Sequence, residues 1–253
     1  MEYNKVTDIK RLNFIIKALR ENISADAQVL DVGCGNGIIS RSLGSHGFRV
    51  KGIDVSDKAI EKAKALNTLP NVEFEVLSAE KLVADGQKYH AVICSEVLEH
   101  LNEPEKLLTT LQQLLHESGI LIVTVPNGQG PRELLVTRPM ISLQKKQNFM
   151  WKFVLGVKKL FGYKGTTIQS DAADLTHIQF FTKKSLKQLA EKNRFTISQF
   201  GKTNFVEDVF PFSLLSKRMK FLQRFDCAVA EILPSNFTGG FLTVWKKATP
   251  VNK

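Results

Sequence analysis

No apolar run in the 253 residues approaches the roughly 20 needed to cross a bilayer. The first twenty residues carry charge throughout, which argues against a secretory leader. Cysteine is scarce: Cys34, Cys94 and Cys227 are odd in number, widely spaced and without metal-ligand spacing. That pattern excludes a disulfide framework and leads us to expect reduced thiols in a cytoplasmic protein. Internal repeats and low-complexity segments are missing, so neither a solenoid nor a disordered chain is expected. Acids are also in deficit, 25 against 35 Lys and Arg, for a net charge of +10. Such an excess suits an anionic partner (a membrane surface, a nucleic acid or a phosphorylated substrate) without choosing among them.

What remains is an ordinary soluble composition, 43% hydrophobic and 24% charged, long enough to bury a real core. The chain is organised around Val29-Leu30-Asp31-Val32-Gly33-Cys34-Gly35-Asn36-Gly37. An apolar, β-branched run ends, and three glycines then fall at every second position. This is a buried strand breaking into a tight turn, with a helix beyond Gly37. Glycine permits unusual dihedrals and close approach of a ligand to the main chain, as a nucleoside cofactor at the end of a central parallel strand requires.

The pattern on either side alternates. Asp8 to Arg20 reads as an amphipathic helix, Ile38 to His46 as a second, and Arg49 to Asp54 as a strand ending in a carboxylate. Helix is expected over Lys58–Leu66, strands over Val72–Leu77 and His90–Cys94, helix over Pro104–His116, and a very apolar strand over Gly119–Val125. Lys183 to Asn193 reads as helix, with closing strands at Phe195–Phe200 and Phe237–Trp245. Strands alternating with helices predict a parallel sheet covered on both faces. Asp54 stands 21 residues beyond Gly33, where a carboxylate can accept both hydroxyl hydrogens of a ribose.

The D-x-G-x-G-x-G run resembles motif I of the class I S-adenosylmethionine (SAM)-dependent methyltransferases. The resemblance implies an α/β, Rossmann-like, seven-stranded and mostly parallel sheet, with helices on both faces and an antiparallel closing hairpin. It implies SAM as cofactor, contacted by Asp31, Gly33, Gly35, Gly37, Asp54, Val55, Ser78, Ala79 and Ser95. The family often has Asp where Ser78 stands, which weakens the adenine assignment there. Arg11 either reaches the cofactor's carboxylate from the first helix or is a solvated surface arginine.

Cys94-Ser95-Glu96-Val97-Leu98-Glu99-His100 follows the fourth strand, beside the transferred methyl. If helix begins at once, Glu96, Glu99 and His100 share a face through i+3 and i+4 spacing. Two carboxylates and an imidazole suit a divalent cation such as Mg²⁺, with Mn²⁺ or Zn²⁺ also admitted by histidine. The stretch resembles the ubiquinone-biosynthesis O-methyltransferases. It also resembles the small-RNA 3′-terminal 2′-O-methyltransferases, whose E-x-x-E-H is completed by a distant histidine; His177, ahead of Phe180-Phe181, is the counterpart. The alternatives are a Glu-His pair that only shapes a pocket and a structural His177. Without metal, His100 is the candidate general base.

The regular alternation lapses over about residues 128–173, an insertion within a single domain spanning residues 1–253. Residues 129–170 hold eight Lys or Arg against one acid, Glu133. Phe149 to Tyr163 gives a basic helix with a broad apolar face, either a lid or a membrane-contacting segment. Phe205 to Phe225 repeats the mixture. The leading expectation is O-methylation of a small, lipidic or lipid-linked acceptor, cytoplasmic or peripheral at a membrane. RNA 2′-O-methylation is the runner-up, disfavoured because the basic residues lie among bulky aliphatics rather than exposed aromatic platforms. A catalytically silent SAM-binding protein is the third reading.

Overall fold

A computed structural model describes residues 3–139, 142, 177–207, 209, 212–216 and 219–248. The expected Phe149–Tyr163 helix, and the insertion between residues 143 and 173, lie outside the described residues.

Among the described residues, seven strands form one sheet in the order β3-β2-β1-β4-β5-β7-β6. They are β1 (Gln28–Val32), β2 (Arg49–Asp54), β3 (Val72–Val76), β4 (Tyr89–Ser95), β5 (Leu115–Pro126), β6 (Phe195–Lys202) and β7 (Gly240–Lys247). The first five pair in parallel, β7 runs antiparallel to both β5 and β6, and six strands therefore share one direction. The expected architecture, antiparallel closing hairpin included, is the one observed.

The two-residue period of the strands sorts their side chains into two cores. Leu30, Val32, Val92, Cys94, Leu121 and Val123 face one side. They pack with helices α4 (Ala79–Ala84), α5 (Pro104–Leu114) and α6 (Lys183–Lys192). Val29, Ala91, Ile93, Ile120 and Ile122 face the other, under α1 (Val6–Asn22), α2 (Ile38–Ser45) and α3 (Asp57–Leu66). Covered on both faces, β4 and β5 lose the alternation of a half-exposed strand and become continuously apolar. Trp245, on β7 beside the edge strand β6, is fully buried, edge-on to Phe195 at 5.7 Å and donating from Nε1 to Thr243 Oγ1 at 2.7 Å.

Local signals set the helix starts. Ser56 caps α3 by accepting from Ala59 N at 3.3 Å, and Thr182 and Ser185 form a capping box at the head of α6. Beyond β6 lie the short helix α7 (Phe212–Ser216) and α8 (Lys220–Ile232), the latter packed on α1. The strand order reverses at β1, between β2 and β4, so the crevice for a ligand opens at the carboxyl ends of those strands. No helix of the described residues is long and apolar enough to cross a membrane.

Candidate functional site

The glycine turn follows β1 into that crevice. Gly33, Gly35 and Gly37 all hold positive φ, at 69°, 53° and 74°, a region open to glycine and costly for other residues. Gly33 and Cys34 both donate backbone N–H to Ile53 O, at 2.9 and 3.0 Å, which lays the turn against the end of β2. Asp54 then receives Gly35 N on Oδ2 and Ser56 N on Oδ1, both at 2.9 Å. Each of its oxygens keeps a second lone pair for a hydroxyl hydrogen. Val55 follows, 76% exposed, an apolar surface at the sheet end suited to a flat aromatic ring.

Asp31 does something different. It is 2% exposed, accepts from Ser40 Oγ at 2.5 Å, and so ties β1 to α2. Burial raises its pKa to about 6, with Ser40 opposing and Asp54 reinforcing the shift. Ala79 is buried at the head of α4 beside a half-buried Ser78. Ser95, at the end of β4, shares a hydrogen bond with Thr124 Oγ1 at 2.8 Å.

Arg11 is buried at 8%, so the surface alternative is set aside. Its guanidinium lies 3.4 Å from both Asp8 Oδ1 and Glu96 Oε2. Burial opposes its charge, yet Glu96 and Asp8 leave the pKa raised overall. A cavity of about 100 Å³ opens alongside, with Lys5, Asp8, Arg11, Glu96 and Arg132 in its wall.

Helix does not begin directly after β4. Glu96 takes a φ of 58°, and only Leu98–His100 forms a single 3₁₀ turn. Breaking the helix at Glu96 breaks the expected i+3 relation. Its carboxylate turns to Arg11 and to the Thr124 hydroxyl, which donates to Oε1 at 2.9 Å. The expected set of Glu96, Glu99, His100 and His177 is therefore only partly assembled. Among the described residues, Glu99, His100 and His177 are the group whose ligand atoms all lie within 4.8 Å of one another.

Topology brings His177 across 77 residues to that group. Ile178 and Gln179 donate backbone N–H to Glu99 O, at 2.8 and 3.0 Å, pinning the segment to the 3₁₀ turn. The His100 and His177 ring centroids are 5.3 Å apart, and His100 Nε2 is 3.8 Å from Glu99 Oε1. Glu99 is 1% exposed; burial, and then the Glu96 charge, push its pKa well above the usual carboxylate range. Among the described residues, Glu99 Oε2 is buried without a hydrogen-bond partner.

Sequence reasoning passed over one neighbour. Glu133, on a short π-helical turn (Glu133–Thr137), is 1% exposed with Oε1 only 3.3 Å from His177 Nδ1. Its one signal was to be the lone acid of a basic stretch.

These features define a class: the chain has the fold of the class I SAM-dependent methyltransferases, with a glycine turn, an acid after β2 and a polar cluster after β4. Residues 8–199 match the methyltransferase domain model, and the chain belongs to that family. It is 36% identical over 129 residues to a ubiquinone biosynthesis O-methyltransferase of Rickettsia bellii (strain OSU 85-389), covering 49% of this chain and 53% of that protein. It is 31% identical over 132 residues to the protein of the same name from Coxiella burnetii (strain Dugway 5J108-111), covering 49% and 56%. The chain spans about half the length of the curated relatives it matches. In fold it is similar to magnesium protoporphyrin IX methyltransferase from Synechocystis PCC 6803 with bound SAH, with a TM-score of 0.56 and 19% identity over 96% of this chain and 84% of that one.

Proposed function

We propose that the protein transfers the methyl group of SAM to a hydroxyl of a small, lipidic or lipid-linked acceptor. The observation that carries this reading is the juxtaposition of the glycine turn and Asp54 with the Glu99, His100 and His177 group at one end of the sheet. The relatives' printed names support oxygen as the acceptor atom and a quinone-type lipid as the acceptor class.

The residues fit SAM. Asp54 would accept from both ribose hydroxyls with its remaining lone pairs, exposed Val55 would face the adenine, and Ser78, Ala79 and Ser95 would contribute from just beyond β3 and from the end of β4. In this reading Arg11 would meet the methionine carboxylate, in competition with Glu96. Bound SAM supplies an electrophilic methyl on a sulfonium that leaves as a neutral thioether. The acceptor hydroxyl must then lose a proton, and without a metal His100 would be the base that takes it. Glu99, His100 and His177 would instead hold a divalent cation such as Mg²⁺, whose charge lowers the pKa of a ligated hydroxyl.

Exposed side chains on α8 support a lipidic acceptor. Phe221, Phe225 and Ile232 are 61%, 66% and 88% exposed, at spacings of four and seven that keep them on one face, with Lys220 and Arg224 also exposed. Incubation with methyl-tritiated SAM, phenolic lipids and RNA in separate reactions tests the proposal. Label is expected in the lipid fraction with equimolar S-adenosylhomocysteine. Label confined to RNA, or SAM binding without turnover, would contradict it.

A further inference from the structure

Among the described residues, neither oxygen of the buried Glu133 carboxylate has a hydrogen-bond partner. Such a group is costly to bury unless a cation or a donor lies next to it. The group beside it is the His177 imidazole, with Nδ1 at 3.3 Å. Glu133 is also held there firmly. Leu134 N donates to Gly130 O at 3.0 Å, and Arg138 reaches back from Nη2 to Gly128 O at 2.9 Å while lying 5.0 Å over the Phe180 ring. Gly128 N in turn donates to Phe181 O at 2.7 Å, so the Glu133 turn and the His177 segment are fixed to each other. Glu99, whose ligand atom lies within 4.8 Å of one from His177, has among the described residues an oxygen without a hydrogen-bond partner of its own.

We infer that Glu133 supports a divalent-cation site formed by Glu99, His100 and His177: from 3.3 Å it is placed to accept a hydrogen bond from His177 Nδ1–H when a cation takes Nε2. This rests on the reading of the Glu99, His100 and His177 group as cation-holding. An imidazole that binds metal through one nitrogen commonly donates from the other to a carboxylate, which fixes its tautomer and raises its basicity. Glu133 is thus a positioning residue. Two imidazoles with a carboxylate form a nitrogen-rich set, which favours Mn²⁺ or Zn²⁺ over Mg²⁺, an ion of all-oxygen and water shells.

The test is Mn²⁺ binding to the full chain, followed by electron paramagnetic resonance and calorimetry, in parent, Glu133→Gln, His177→Gln and the double variant. Mn²⁺ should bind at least about tenfold more tightly than Mg²⁺. Glu133→Gln should weaken Mn²⁺ by about 10- to 100-fold. In the His177→Gln background it should add nothing, because Glu133 acts through that ring. Metal-free Glu133→Gln should be about as stable to urea as the parent, since the two side chains are nearly the same size and both offer an acceptor oxygen. A merely structural Glu133 would lower stability and leave Mn²⁺ affinity alone, and that result, or a variant that fails to fold, overturns the inference. Equal Mn²⁺ affinity in parent and Glu133→Gln overturns the role of Glu133 while leaving the cation reading intact. No Mn²⁺ binding by the parent overturns both and leaves SAM-dependent transfer with His100 as base standing.

Discussion

Asp31 and Asp54 stand at the ends of neighbouring strands, and burial gives them different work. Asp31 is 2% exposed, with a folded-state pKa raised from 3.8 to about 6 by burial. A carboxyl whose pKa is raised on folding binds its proton more tightly in the native state. Its contribution to stability is full below the unfolded value of 3.8 and is lost as pH rises through about 6. Asp31→Asn should therefore lose less stability than the parent between about pH 4 and about pH 7, by on the order of 3 kcal/mol at most. Urea titrations without cofactor would show this, and parallel pH profiles would contradict it. Asp54 is half-buried, and Asp54→Ala should cost SAM binding about 1.5–3 kcal/mol if both ribose hydroxyls bond to the carboxylate. Calorimetry on folded variant checks it; unchanged affinity would contradict the site. Asp54 was legible from its place after a strand, and Asp31 from its motif. Glu133 was not, because its partner His177 is 44 positions away in sequence and no local pattern joins them. For Arg11 the sequence left a cofactor contact and a solvated surface arginine open, because its burial between Asp8 and Glu96 depends on how α1 crosses the sheet.

The turn after β1 is the element most tightly specified by packing. A Cβ on Gly33 would lie 2.6 Å from Val97 Cγ2, and one on Gly37 would overlap the Phe74 ring, both at positive φ. Gly37→Ala should therefore destabilise by about 2–4 kcal/mol, from left-handed strain plus overpacking. Denaturant midpoints measure this, and a neutral effect would mean that Phe74 moves aside freely. The strands and the longer helices up to β7 were readable because each keeps one hydrophobic period, whereas α4, α7 and α8 were not expected as helices. Among the expected elements the widest difference is β5, which starts at Leu115 where strand was expected from Gly119. There the helix signal of α5 yields to pairing of Leu115 with Tyr89. The stretch after β4 failed for another reason. Helical spacing of Glu96, Glu99 and His100 presumed continuous helix, whereas Glu96 adopts φ 58° and donates its position to an ion pair with Arg11.

At the scale of the molecule, a net charge of +10 and the exposed Phe221, Phe225 and Ile232 of α8 suit a surface that meets anionic lipid. The chain should co-sediment with anionic vesicles, less so at high salt because screening weakens the basic contribution. Phe221→Glu with Phe225→Glu should abolish this and leave SAM affinity unchanged. No sedimentation of the parent would remove the support that this surface gives to a lipidic acceptor without touching methyl transfer. The central claim is that methyl passes from SAM to an oxygen at the carboxyl end of this sheet. Carbon-13 NMR of the product made from methyl-labelled SAM tests it most directly. The account predicts a methoxy carbon on a lipid-soluble product, formed by the parent and reduced in Asp54→Ala in line with its loss of SAM binding. A label carried on nitrogen or carbon, or a product formed equally well by Asp54→Ala, would contradict it.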